Sequence, residues 1–110
     1  MAENYGLISK PVVYDVIFIG EVGSIIANLF FKITGNKFKC LVINNTKSIL
    51  EPTLLPSHSP YISIDKFCPK NYDVAIENVF LINPSENYVK TESKIHFAYK
   101  YLVYAKGTGT

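Results

Sequence analysis

The sequence predicts an α/β fold in three layers, a short parallel sheet with one crossover helix and an antiparallel β-meander. Three features point there. A continuous apolar run over residues 12–19 closes on Gly20. The apolar residues then change to helical spacing over residues 23–34, and a second apolar run follows at 38–43. From residue 72 onward the spacing returns to two, broken by turn residues.

Each element has its own reason. Val12, Val13, Val16, Ile17, Phe18 and Ile19 give a β-branched and aromatic run without polar alternation, the pattern of a strand covered on both faces in a parallel sheet. Ile25, Ile26, Leu29, Phe30 and Ile33 fall on one helical stripe, which predicts the buried face of a helix. Gly35 stands where a left-handed residue would stop that helix. Strand, helix and strand within ~30 residues make a βαβ unit, so the two strands should run parallel with a right-handed crossover; this is a Rossmann-like arrangement. Residues 45–72, with Pro52, Pro56, Pro60 and Pro69, read as an irregular connection carrying one short helix near 63–67. Residues 74–82 read as one or two strands, 83–87 as a turn, and 88–91 and 95–99 as antiparallel strands around a turn at 92–94. Residues 101–105 read as a separate final strand. The organisation is a lead-in over residues 1–11 and one domain over 12–110.

Composition narrows the function classes. With 48% hydrophobic residues and 14% aromatic ones, the chain can build a core and does not resemble a disordered segment. The net charge of +2 comes from scattered lysines, and arginine is absent. That argues against a nucleic-acid partner, since phosphate and guanine are usually read by the guanidinium fork. No apolar stretch approaches the ~20 residues of a transmembrane helix, and residues 1–10 lack a signal-type apolar run; the expectation is a cytoplasmic protein. Cys40 and Cys68 are distant in sequence and have no histidine beside them, so they read as two reduced, part-buried thiols and not as a dithiol or a metal site.

The first candidate site is the turn Gly20-Glu21-Val22-Gly23, with Ser24 opening the helix. One glycine ends the strand in a turn, a second lets helix and strand approach, and the helix N-terminus offers free N–H groups to a pyrophosphate. Only G-x-x-G of the fuller G-x-G-x-x-G pattern is present, and taken alone the loop is better accounted for by an ordinary glycine turn. The second candidate is Asn44, at the end of the second strand, where an acid commonly accepts hydrogen bonds from an adenosine ribose; an amide can bond a hydroxyl but lacks the charge, and a plain loop asparagine fits as well. His58, in a proline-bracketed loop, and His96, on an alternating strand, read as solvated. Asp65 and Glu77 read as isolated carboxylates, not as an acid/base pair.

The C-terminal stretch Tyr99-Lys100-Tyr101-Leu102-Val103-Tyr104-Ala105-Lys106-Gly107-Thr108-Gly109 resembles the "Y-D-x-L-V-x-A-T-G-S" segment of the FAD/NAD(P)-dependent pyridine nucleotide oxidoreductases. Pro52-Thr53-Leu54-Leu55-Pro56 resembles the "P-L-L-P" stretch of single-polypeptide NADH:quinone dehydrogenases and apoptosis-inducing-factor-like proteins. The order of segments is similar across residues 12–110. The resemblance implies an FAD-binding portion, with the adenosine-diphosphate part at Gly20, Glu21, Val22, Gly23 and Ser24, Asn44 near the ribose, and Ala105, Lys106 and Gly107 on the isoalloxazine side. It also implies departures. The glycine turn is two residues short, Lys106 replaces a threonine, and the NAD(P)H-binding domain of the family is missing from the 110 residues. The expectation is therefore a truncated, degenerate piece, incomplete as an enzyme, with no catalytic residue carried over. The alternative is a ligand-free relic that associates with itself as a homodimer, or with a protein partner, through an exposed edge strand or uncovered apolar surface.

Overall fold

The computed structural model describes residues 12–50 and 61–104. Strand β1 (Val13–Ile19) leads straight into helix α1 (Gly20–Thr34), and β2 (Cys40–Asn44) follows. Next come β3 (Ser48–Leu50), β4 (Tyr61–Ser63) and the short helix α2 (Ile64–Phe67). The chain then forms β5 (Asp73–Ile76), β6 (Val79–Asn83), β7 (Tyr88–Thr91) and β8 (His96–Tyr104).

Six strands make one mixed sheet in the order β5-β2-β1-β8-β7-β6. The pairs β1–β2, β1–β8 and β2–β5 are parallel, while β6–β7 and β7–β8 are antiparallel. The register places Phe18 beside Val42 and Val103, and Ile17 beside Leu41 and Leu102. Side chains alternate across the central strands, so each strand feeds two cores. Val16 and Phe18 with Cys40 and Val42 face α1, where they meet Ala27, Ile64, Cys68 and Tyr72. Ile17 and Ile19 with Leu41 and Ile43 face the meander, where Val89, Val79, Ile82 and Phe97 cover them. Helix, sheet and meander are the three expected layers, and the continuous apolar runs are explained by this double covering.

Several elements differ from the sequence reading. The helix begins at Gly20, not at residue 23, because the strand turns into it without a loop residue. Its sheet-facing side is not the stripe that Leu29 and Ile33 would mark: those two are 53% and 84% exposed, whereas Gly23, Ser24 and Ala27 are buried. Small side chains let the helix lie close on the sheet, with Ile26, Phe30 and Phe31 packing at its flanks. The connection between β2 and β5 carries the expected short helix, α2, whose Phe67 carbonyl accepts a hydrogen bond from Asn28 Nδ2 at 2.7 Å, and in addition the antiparallel pair β3–β4. The two strands expected at 95–99 and 101–105 are a single strand, β8. Its first three residues pair with β7 and its remainder runs along β1. The last strand is thus not the sheet's edge; β5 and β6 are. Gly35 stops α1 as expected, with φ 63° and its N–H donating to the Phe31 carbonyl at 2.7 Å.

Candidate functional site

The four parallel strands end at Ile19, Asn44, Ile76 and Tyr104, along one rim of the sheet. The chain builds outward from β1 through β2 to β5, then returns to lay β8 on the other side of β1. That reversal is a topological switch point, and open α/β sheets bind ligands in the crevice it leaves at the carboxyl ends of the strands. A cleft of about 430 Å³ opens on this rim, within the usual size of a small-molecule site. Its walls come from the β1–α1 turn at Gly20 and Glu21, from Asn44, Asn45 and Thr46 after β2, from Glu77 and Asn78 after β5, and from Tyr104.

The turn is built by its two glycines in different ways. Gly20 takes φ 91°, a conformation that side chains resist, and so turns the extended chain into the helix. Gly23 is buried against β1: a Cβ there would lie 3.3 Å from the Phe18 carbonyl carbon, so a side chain would push helix and strand apart by a few tenths of an ångström. The Ser24 hydroxyl donates to the Gly20 carbonyl at 2.9 Å and is buried inside the turn. No side chain caps the first turn of α1, and its N–H groups carry the positive end of the helix dipole toward the rim. Of the five turn residues singled out from sequence, Gly20 and Glu21 line the cleft, while Val22, Gly23 and Ser24 do not.

Asn44 reaches the cleft but is 4% exposed, and its Nδ2 donates to the Thr46 carbonyl at 3.0 Å and to Thr46 Oγ1 at 3.1 Å. Its donors hold the strand-end loop in place. Ala105, Lys106 and Gly107, like the stretch Pro52–Ser57 and His58, lie outside the described residues.

Sequence reasoning missed Glu77. It directly follows β5, its N–H donates to the Asn44 carbonyl at 2.9 Å, and its Oε1 accepts from the Ser93 hydroxyl. Its position just past the end of a parallel strand was the available signal, hidden because β5 is only four residues long and merges with β6 in the sequence pattern. Two acids, Glu21 and Glu77, stand in the described walls of the cleft, and no lysine does. The rim thus joins a glycine turn, an uncapped helix terminus and partly polar walls. A free helix N-terminus of this kind favours an anionic group.

The remaining reactive groups are structural. Cys40 and Cys68 are buried free thiols. Burial pushes both up, Cys68 to about 11, which keeps them protonated and unreactive at neutral pH. Tyr14 donates to Asp73 Oδ2 at 2.7 Å, and burial first, then this hydrogen bond, raises its phenol far above the usual range. His96 is exposed and stacks edge-on against Tyr88 at 5.2 Å. Among the described residues no group of three metal-ligating side chains gathers, and no helix is long and apolar enough to cross a membrane.

No protein-family profile matches the chain, and no curated protein does. Solved structures with the same fold are found. A chain in the cryo-EM structure of the Tetrahymena thermophila mitochondrial ATP synthase F1Fo composite tetramer is 24% identical with a TM-score of 0.74, over 97% of this chain and 27% of that one. The sulfide:quinone oxidoreductase of the hyperthermophilic bacterium Aquifex aeolicus is 24% identical with a TM-score of 0.64, over 90% and 24%. A chain of the covalent putidaredoxin reductase–putidaredoxin complex is 18% identical with a TM-score of 0.58, over 86% and 26%. The chain thus spans about a quarter of the length of each of these chains. Fold and cleft together define a Rossmann-like α/β domain with a switch-point crevice.

Proposed function

We propose that the chain is a dinucleotide-binding domain, with FAD as its ligand, of the kind that forms the first portion of an NAD(P)H-linked flavin oxidoreductase. The observation that carries this reading is the cleft at the carboxyl ends of β1, β2, β5 and β8, fed by the Gly20 turn into α1. The fold shared with parts of a sulfide:quinone oxidoreductase and of a putidaredoxin reductase complex supports it, and the segment order favours the NADH:quinone dehydrogenase and apoptosis-inducing-factor-like branch. The turn at Gly20 and Glu21 would hold the pyrophosphate, Asn44 would lie near the ribose, and Ala105, Lys106 and Gly107 would approach the flavin side. Bound flavin would supply the electron-transfer chemistry; the residues of this chain bind and orient it. In this reading the domain works in the cytoplasm.

A second reading is favoured by the match to an ATP synthase chain over 97% of the sequence. In it the domain has kept the fold, lost the ligand, and serves as an interaction module inside a larger assembly or a homodimer. The exposed Leu29, Ile33, Phe38 and Tyr101 would supply its contact surface.

One experiment separates the two. The protein is mixed with excess FAD, desalted, and its visible spectrum recorded, then recorded again after ADP is added in excess and removed. A flavin band retained near stoichiometry and displaced by ADP supports the first reading. A colourless protein with a cooperative melting transition overturns it in favour of the second.

A further inference from the structure

The cleft contains an acid one strand away from where the ribose carboxylate of a dinucleotide site stands. We propose that Glu77 is the ribose-reading residue of this site, accepting hydrogen bonds from the 2′- and 3′-hydroxyls of an adenosine nucleotide in place of an acid at Asn44. The proposal rests on the reading of the cleft as a nucleotide site.

Asn44 stands at the end of β2, the usual place for that acid. Its amide nitrogen is committed to Thr46, and its side chain is almost wholly buried. Ribose hydroxyls are donors and call for an acceptor, and a carboxylate is a stronger one than an amide because the bond is charge-assisted. Glu77 supplies that acceptor at the end of the adjacent strand, tied to Asn44 by the backbone hydrogen bond of 2.9 Å. The Ser93 hydroxyl holds its Oε1, and its second oxygen takes no hydrogen bond among the described residues. Glu77 lines the cleft with one carboxylate oxygen anchored, so the group is partly pre-oriented and little side-chain freedom is lost when a ligand arrives. The charge of the walls adds a specificity. A 2′-phosphate on the ribose would meet the Glu77 carboxylate itself, a like charge where the diol should sit. The site therefore selects a free 2′,3′-diol and rejects 2′-phosphorylated nucleotides.

The test is calorimetric titration of the 110-residue chain with ADP, 2′,3′-dideoxy-ADP and adenosine 2′,5′-bisphosphate. Wild type should bind ADP about tenfold more tightly than the dideoxy compound, the size of one good hydrogen-bonding group, and should not bind the 2′-phosphate. Glu77→Gln keeps an acceptor for Ser93 and should lose that discrimination; Ser93→Ala, which frees the carboxylate, should lose part of it. Melting curves check that both variants fold. Should Glu77→Gln not fold, the wild-type ligand series and Ser93→Ala decide the matter. Equal wild-type affinity for ADP and the dideoxy compound, or an unchanged preference in a folded Glu77→Gln, overturns the role of Glu77 and leaves the nucleotide reading standing. No binding of ADP at all overturns both.

Discussion

The two halves of the sheet are held by different means. In the β1–α1–β2 half every residue of β2 is buried, and β1 is buried over its last four residues. In the meander half β6 is half-buried to exposed throughout, and Phe80 is 67% exposed. Aromatic packing centres on the first half: Phe18 lies 5.6 Å from Phe30 and 6.3 Å from Tyr72, and Phe31 meets Tyr72 at 5.6 Å. The meander is tied mainly by backbone pairing and short polar turns, such as Glu92 N–H to the Asn78 carbonyl at 2.9 Å and Glu86 N–H to Asn83 Oδ1 at 3.1 Å. A sheet can therefore carry most of its burial on one side while the cleft on its rim draws walls from that half and from the chain that leaves it. Glu77 and Asn78, which close the cleft, link β5, paired with β2, to β6 of the lightly buried half.

The largest test of that contrast is Phe18→Ala. Phe18 is fully buried at the centre of the helix-side core, and its truncation should cost ~3–5 kcal/mol, read as a lower urea midpoint with unchanged slope. Phe80→Ala, on exposed β6, should stay within ~0.5 kcal/mol. Equal losses at the two positions would show that stability is spread evenly and that the contrast is wrong.

A middle case is Val89→Ala. Val89 is the meander's main buried contribution to the second core, fully covered beneath Tyr14, Ile17 and Tyr99. Removing two methyl groups should cost ~1.5–2.5 kcal/mol. Hydrogen exchange sharpens the comparison. In this variant the amides of β6 and β7 should exchange faster, while those of β1 and β2 change only with global stability. Uniform acceleration would mean that the two halves unfold as one unit.

The same contrast explains what was legible in the sequence. The β1–α1–β2 unit could be read because its strands are covered on both faces and so carry unbroken apolar runs, and because Gly35 marks the helix end. The direction of α1 on the sheet could not be read from apolar spacing. Contact is set by the small residues Gly23, Ser24 and Ala27, which leave no hydrophobic signal, while Leu29 and Ile33 gave a signal and face outward. The meander's alternation was visible, but the continuity of β8 was not. One strand pairs with β7 at its start and with β1 over most of its length, so its burial pattern changes partway along. Of the site, the glycine turn was legible as local chemistry. Glu77 was not, because its place beside Asn44 follows from the β2–β5 pairing between segments far apart in the chain.

The smallest expected effect lies at the opposite end of β1 from the cleft. Asp15 Oδ2 accepts the Lys39 backbone N–H at 2.8 Å, and Oδ1 lies 3.3 Å from Lys100 Nζ. The backbone hydrogen bond chiefly, with help from Lys100, holds this carboxyl below its usual 3.8. A group whose folded pKa is depressed stabilises the fold above its unfolded pKa and loses that contribution as pH falls through the folded one. The difference in melting temperature between wild type and Asp15→Asn should therefore be full well above the usual 3.8 and shrink toward zero as pH falls below it. The side chain is partly solvated, so the difference should be small and should narrow further in high salt for the Lys100 share alone. Asp15 joins β1 to the loop before β2 and to β8. If the difference instead grew as pH fell, the carboxylate would be destabilising there, and the first half would owe its strength to apolar burial alone.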